Sequence, residues 1–266
     1  MPELPDVEVF RRYLDAHGLH RQIAAVDTHG GQDLLEEVSP QQLGKVLTGH
    51  SLTATRRHGK YLFAEIGGDG ALVLHFGMTG LLEAYDQGEP PSHTRMRLDF
   101  ADGGHLAFRN QRKLGLVTVT DSAEAFIADK QLGPDALEAV PDPAALKKAL
   151  AGRRGGLKST LMNQAVLAGI GNDYSDEVCF QARLDPRLKV DQLGDRALER
   201  LHEAIRRVLR EAIDAEADPE RMPQDFLLPR REAGAVCPRC GGRIAKLRIS
   251  GRSGYWCPRC QGEAAS

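Results

Sequence analysis

Apolar and polar positions along the chain fall into two regimes. Near the start, Val7, Phe10 and Leu14 recur at helical spacing, Pro5 suits a first helical turn and Gly18 a stop, so 5–17 is predicted to be a helix. From about 22 to 120 the pattern shortens to strand-length apolar runs: Tyr61-Leu62-Phe63, Ala71-Leu72-Val73-Leu74, Met96–Phe100 and Leu116–Val119. Gly67-Gly68-Asp69-Gly70 and Asp102-Gly103-Gly104 read as hairpin turns. Pro134, Pro141 and Pro143 then mark a boundary, and helical patterns follow at 143–151, 158–167, 172–182 and 194–216. The predicted class is α+β. An antiparallel β-sandwich with flanking helices fills 1–134, a helical domain fills 135–228, and a small Gly-, Arg- and Cys-rich tail fills 229–266.

Composition narrows the class. Hydrophobic residues make up 41% and charged residues 27% of 266, as in globular proteins. No apolar run spans a bilayer, and the acidic start Met-Pro-Glu-Leu-Pro-Asp is not a signal peptide, so no membrane partner and a cytoplasmic location are expected. A net charge of -2 argues against nucleic acid until its distribution is considered. Residues 144–163 carry Lys147, Lys148, Arg153, Arg154 and Lys158 without an acid. Residues 229–266 carry eight cations against Glu232 and Glu263, whereas 211–225 holds six acids against Arg221. Such segregation suits one polyanion-binding face and an acidic back.

Cys237-Pro-Arg-Cys240 and Cys257-Pro-Arg-Cys260 form C-x2-C-x16-C-x2-C. Each knuckle aims two sulfurs at one ion, and the intervening residues can form a hairpin joining them. Four thiolates close a tetrahedral shell, so one structural Zn2+ is expected; iron is the less favoured metal. The fifth cysteine, Cys179, lies on an apolar helical stripe and reads as a core thiol. No Ser-His-Asp order, phosphate loop or HExxH motif occurs.

Between 158 and 177, Leu161, Met162, Ala165 and Val166 form an apolar stripe, Gly169 and Gly171 break the helix, and Asn172 is a candidate N-cap for the next. Free amides at that helix start would attract a phosphate, with Asn172 and Lys158 assisting from the side. Taken alone, the segment reads as an ordinary helical hairpin. Pro2 follows the initiator methionine, whose removal would expose a secondary amine with a pKa of about 8, lowered further by a helix beginning just beyond. Such an amine can attack an aldehyde carbon to give a cationic iminium, and Glu3 stands beside it to move protons. Taken alone, Met-Pro-Glu is merely a common beginning.

Together these segments resemble the formamidopyrimidine-DNA glycosylase and endonuclease VIII family. The resemblance rests on Pro2–Glu8, Arg56–Leu62, His75–Gly80, Asn110–Gly115, Gly169–Asn172 and Gly251–Cys257, in family order, over about 2–261. It implies a base-excision-repair glycosylase with abasic-site lyase activity, β/δ-elimination, a helix-two-turn-helix domain and a zinc-finger hairpin. The implied partner is damaged double-stranded DNA, bound by a monomer in a bacterial cytoplasm near the nucleoid, with the damaged nucleotide turned out into an interdomain cleft. By the same resemblance Pro2 is the nucleophile at C1′, Glu3 the proton-transfer carboxylate, and Lys60 a second catalytic amine. Met78, Arg112 and Leu114 would fill the vacated stack. His75 and His93 would contact DNA, while Lys158, Asn172 and Arg252 grip flanking phosphates. Three places depart from the family pattern: Leu114 for a phenylalanine, Asp173 for an apolar residue, and a shortened, acidic 213–236 where a covering loop is usual. They bear on lesion choice, and weak action on 8-oxoguanine beside strong lyase action is expected. A non-enzymatic damage-binding protein or a zinc-ribbon transcription accessory factor would use the ribbon and Asn172 but would have no need of Pro2 or Glu3.

Overall fold

The computed structural model describes residues 1–68 and 70–262. Asp69 of the predicted Gly67–Gly70 turn and the terminal Glu263 therefore lie outside the described residues. The chain divides into two compact units, one of residues 1–2 with 6–130, the other of 3–5 with 131–266.

The first unit holds two four-stranded antiparallel sheets. One runs β1 (Ile23–Asp27), β6 (Thr94–Phe100), β7 (His105–Asn110), β5 (Gly80–Tyr85). The other runs β2 (Leu52–His58), β3 (Tyr61–Ile66), β4 (Ala71–His75), β8 (Leu116–Thr120). Strand β6 shows one-sided burial: Met96, Leu98 and Phe100 enter the core while Arg95, Arg97 and Asp99 are only partly covered. Strand β4 behaves differently. Leu72 and Leu74 join the main core with Val7 and Leu14 of helix α1 (Leu4–Gly18). Ala71 and Val73 face a second cluster with Phe63, Leu116 and Phe126 of helix α3 (Ala123–Asp129). That two-faced burial explains the uninterrupted apolar run at 71–74.

Two helices of this unit escape a periodicity reading because they are short. Helix α2 (Pro40–Leu47) starts with a capping box: Gln42 N donates to Ser39 Oγ at 3.2 Å, and Ser39 N donates to Gln42 Oε1 at 2.9 Å. Ser122 caps α3 by accepting from Ala125 N at 3.1 Å.

The second unit contains α4 (Pro143–Leu150), α5 (Leu157–Leu161), α6 (Asn172–Gln181), α7 (Asp195–Asp214) and a β-hairpin of β9 (Ala245–Ile249) and β10 (Arg252–Trp256). Its core gathers Leu198, Leu201, Ile205, Val208 and Leu209 of α7 around Val178 and Cys179 of α6. Cys179 is a buried thiol as expected, and burial pushes its pKa up.

The predicted helix at 158–167 is cut short. It ends at Leu161 because Asn163 Oδ1 accepts from Ala165 N at 3.0 Å, a side-chain-closed turn that competes with the helical ladder. Ala165, placed on an apolar stripe by the sequence pattern, is exposed. Gln164 shapes the turns up to Ile170, donating to the carbonyls of Met162 and Ile170 at 2.8 Å each and accepting from Gly169 N at 3.0 Å.

Candidate active site and metal centre

Pro2 is half-buried, two residues before the first turn of α1. Glu3, bonded to it, is only 1% exposed. The Glu3 carboxylate sits on the N-terminus of α6, accepting from Gly171 N at 2.5 Å, Asp173 N at 2.8 Å and Tyr174 N at 3.4 Å. Those first-turn amides are the donors a helix leaves unpaired, and the helix dipole favours an anion there. The cap of α6 is thus Glu3, from 168 residues away in sequence, and not Asn172, which is the first helical residue after an N-cap at Gly171. Three of the amides expected to stand free for a phosphate are already engaged by Glu3.

The neighbouring glycine makes this docking possible. Leu4 N donates to Gly169 O at 3.0 Å, and a Cβ on Gly169 would lie 2.5 Å from Leu4 Cδ1. Gly169 also has φ +118, a region that side chains rarely adopt.

In the first unit, two loops present apolar side chains to solvent. Met78 is 40% and Leu114 51% exposed. Asn110 ties the loops together from a fully buried position, donating from Nδ2 to Phe76 O at 3.1 Å and accepting from Leu114 N at 3.4 Å. Thr79 Oγ1 accepts from Arg112 N at 3.1 Å, which leaves the Arg112 side chain exposed. Gly77 lies so close under Leu114 that a Cβ would fall 2.2 Å from its carbonyl oxygen. His93 is exposed with φ 63, and its carbonyl accepts from Asn110 N at 3.0 Å. Asn110 is therefore bonded directly to two of the predicted site residues, Leu114 and His93. Buried, it contributes no surface chemistry of its own, and in the sequence it is only one letter of a motif.

Lys60 occupies the β2–β3 turn beside Gly59 (φ 55) and is 7% exposed. His75 ends β4, and burial together with the nearby Lys60 charge holds its pKa down to about 4. Its Nδ1 accepts from Gly77 N at 3.2 Å, so the neutral ring carries its proton on Nε2.

Lys158 requires a correction. The resemblance implies a phosphate grip, yet this lysine is fully buried, with Nζ 2.7 Å from Asp176 Oδ1, 2.7 Å from Asn172 O and 3.1 Å from Ser175 Oγ. Its positive charge is spent inside the protein because the buried Asp176 needs a partner. Asp176 is also approached by Arg231 Nε at 2.9 Å and by Tyr255 N of β10 at 3.0 Å. Gly254 permits that approach: a Cβ there would lie 3.1 Å from Asp176 Oδ1. Beside it, the fully buried Glu177 accepts from Gln181 Nε2 and Leu228 N, both at 2.7 Å. Burial pushes its pKa up to about 7. Asp176, Glu177 and Arg231 do not stand out in the sequence, where adjacent acids on a helix look like a solvated face.

Arg252 is exposed at the start of β10, after a turn through Ser250 (φ 50) and Gly251 (φ 76). At the hairpin's base the sulfurs of Cys237, Cys240, Cys257 and Cys260 all lie within 4.8 Å of one another. Cys237 and Cys260 are 3.8 Å apart and Cys240 and Cys257 3.5 Å. A tetrahedral zinc with Zn–S of about 2.3 Å demands S···S separations of about 3.8 Å, so the donor set fits zinc. Gln261, fully buried, locks the second knuckle to the helical core, accepting from Cys257 N at 2.7 Å and donating to Leu184 O at 2.9 Å.

The order and content of these segments match known proteins. Residues 1–117 match the formamidopyrimidine-DNA glycosylase N-terminal domain, 132–223 the H2TH domain of the same enzymes, and 234–262 a zinc finger found in FPG and IleRS. The chain belongs to the formamidopyrimidine-DNA glycosylase family. A formamidopyrimidine-DNA glycosylase of Moorella thermoacetica is 35% identical over 93% of this chain and 95% of its own length. One of Geobacter metallireducens is 36% identical over 95% and 97%. The crystal structure of the Lactococcus lactis enzyme bound noncovalently to DNA containing an abasic site superposes with a TM-score of 0.88 at 29% identity, covering 98% of this chain and 100% of that one. A MutM complex with DNA containing carbocyclic 8-oxo-G gives 0.88 at 28% identity, with the same coverage. The chain is accordingly a DNA glycosylase of the glycosylase/abasic-lyase family, and the four-cysteine cluster is its structural zinc site. No helix among the described residues is long and apolar enough to cross a membrane.

Proposed function

We propose that this enzyme excises damaged bases from double-stranded DNA, and nicks abasic sites, through the amine of Pro2 after Met1 is removed. The observation that carries this reading is the buried Glu3 carboxylate, held on three amides of α6 one peptide bond from that amine. The Pro2 nitrogen attacks C1′, the glycosidic bond breaks, and the base leaves with a proton; the sugar ring then opens, the C1′–O4′ bond breaking as O4′ takes a proton, which leaves C1′ and the Pro2 nitrogen joined as an iminium. The resulting iminium acidifies C2′–H. Loss of that proton expels the 3′ phosphate by β-elimination, and a second elimination releases the 5′ phosphate. Glu3 moves the protons at the sugar, and Lys60 assists as the second amine.

Grip on the substrate is assigned to exposed and half-buried groups. Met78 and Leu114 enter the stack as apolar wedges while Arg112 faces the orphaned base. Asn172 and Arg252 contact flanking phosphates, His75 and His93 contact DNA from the first unit, and Lys158 drops out of this set. Zinc, when bound, holds the Arg252 hairpin in shape; the buried Asp176 then fixes it against α6, and Gln261 ties the second knuckle to the Leu184 carbonyl just past that helix. The relatives crystallised on damaged DNA support this reading. The enzyme is placed in the bacterial cytoplasm, at the nucleoid, as a monomer.

Lesion choice depends on the segment after α7. A tight turn with Glu216 (φ 56) and Ala217 (φ 58) leads to Met222, Phe226 and Leu227, all buried. A connection packed down in this way supplies few free backbone donors to a flipped base. We therefore assign strong action at abasic sites, intermediate action on poorly paired oxidised or ring-opened bases, and weak action on 8-oxoguanine, which pairs well and needs pocket contacts to offset extrusion. Borohydride trapping tests the nucleophile. A covalent adduct should form between abasic DNA and the Pro2 peptide, and Pro2→Gly should slow or abolish it. An adduct only on Lys60 would overturn the assignment.

A further inference from the structure

Asp173 puts a carboxylate next to Asn172, the residue assigned to a phosphate, and like charges at that distance oppose binding. Its surroundings offset that charge. Asp173 Oδ1 lies 2.9 Å from Arg231 Nη1 and accepts from Asn172 Nδ2 at 3.1 Å. The Arg231 side chain is 17% exposed, against 44% for Asp173, so the arginine is held from below. Four contacts hold it: Asp176 Oδ2 at 2.9 Å, the carbonyl of Asn172 at 3.4 Å, the carbonyl of Ser253 at 3.5 Å, and the Tyr255 ring, whose centroid is 4.9 Å from the guanidinium carbon. Ser253 and Tyr255 flank Gly254 in the strand that begins with Arg252.

We propose that Arg231 is a positioning residue of the DNA grip. It neutralises Asp173 beside the Asn172 phosphate site, and with the same guanidinium it sets the Arg252 hairpin against the start of α6. A planar group with five donors can serve both partners at once, which a lysine cannot. The proposal rests on the assignment of Asn172 and Arg252 to phosphates. It also gives Asp173 a reason to be tolerated: its charge is internal to a pair and does not project toward the DNA.

The fold should survive loss of this side chain, because Asp176 keeps Lys158 and Tyr255 N. The experiment is a double-mutant cycle of Arg231→Gln and Asp173→Asn. Its readout is affinity for a duplex with a non-cleavable abasic analogue across a salt series, with zinc content measured in parallel. Arg231→Gln should weaken binding roughly five- to tenfold at low salt with one zinc retained, since it exposes a bare carboxylate next to a phosphate. Asp173→Asn alone should bind as tightly as the parent or tighter, and added to Arg231→Gln it should restore most of the loss. A purely structural arginine would show no such rescue. Additive effects in the cycle, or weaker binding by Asp173→Asn alone, would overturn the proposal. Should Arg231→Gln not fold, Arg231→Lys replaces it, with the same rescue expected. Asn172→Ala separates the two levels: full affinity in that variant refutes the phosphate assignment itself, whereas lost affinity with an additive cycle refutes only the role of Arg231.

Discussion

Replacing Glu3 by glutamine should cost both chemistry and stability, and the structure sets the size of the second effect. The carboxylate is 1% exposed and receives close bonds from Gly171 N and Asp173 N, with Tyr174 N more distant. An amide keeps one oxygen. It can retain one of the close bonds in weaker, neutral form, a loss of about 1 kcal/mol. Its NH2 group must then face the other N–H, leaving a buried donor unpaired at about 1–3 kcal/mol. Loss of the anion at the helix N-terminus adds up to about 1 kcal/mol. The expected total is about 3 kcal/mol, most of it carried by the helical unit. With a urea slope of about 1–3 kcal/mol/M, the midpoint should fall by roughly 1–3 M, read by circular dichroism at 222 nm. Base excision under single-turnover conditions should fall by roughly a hundred- to ten-thousandfold at temperatures where the variant is folded. An unchanged urea midpoint would show that the carboxylate does not cap α6 in solution. A folded variant with normal excision would remove Glu3 from the chemistry.

The same geometry sets further outcomes. Elemental analysis should find one zinc per chain, and Cys257→Ser should weaken DNA binding while the β-sandwich unit stays folded; zinc-free protein with full affinity contradicts this. Glu177, pushed up to about 7 from an ordinary 4.5, holds a proton in the folded state that the unfolded chain releases at lower pH. Its contribution to stability is complete below about pH 4.5, declines as pH rises through about 7, and amounts to about 3 kcal/mol over that window. Urea midpoints at pH 5 and pH 8 should therefore differ less in Glu177→Gln than in the parent, and equal differences would refute the buried-proton reading. In single-turnover assays 8-oxoguanine opposite cytosine should be processed at least roughly tenfold more slowly than an abasic site. Equal rates would show that another segment covers the pocket.

Local rules in the sequence determined much of this protein. Two-residue alternation in 96–100 and 3.6-residue periodicity in 194–216 report burial on one face, and both elements formed where the pattern lay. The C-x2-C-x16-C-x2-C spacing determined the metal site because each knuckle is a local turn that needs only a hairpin to meet its twin. Leu114 and Met78 are singled out only by the family resemblance, and both are exposed. Tertiary structure decided which polar groups are spent internally. Nothing near residue 3 announces that it caps a helix starting at 172, since a helix N-terminus accepts any carboxylate the fold delivers to it. Lys158 has the look of a phosphate ligand until folding places Asp176 under it: a buried charge must be paired, and pairing removes the lysine from the surface. Asn110 and Gln261 likewise gained their roles from buried backbone groups that needed partners. A sequence supplies donors and acceptors, but which of them satisfy each other depends on contacts between residues far apart in the chain.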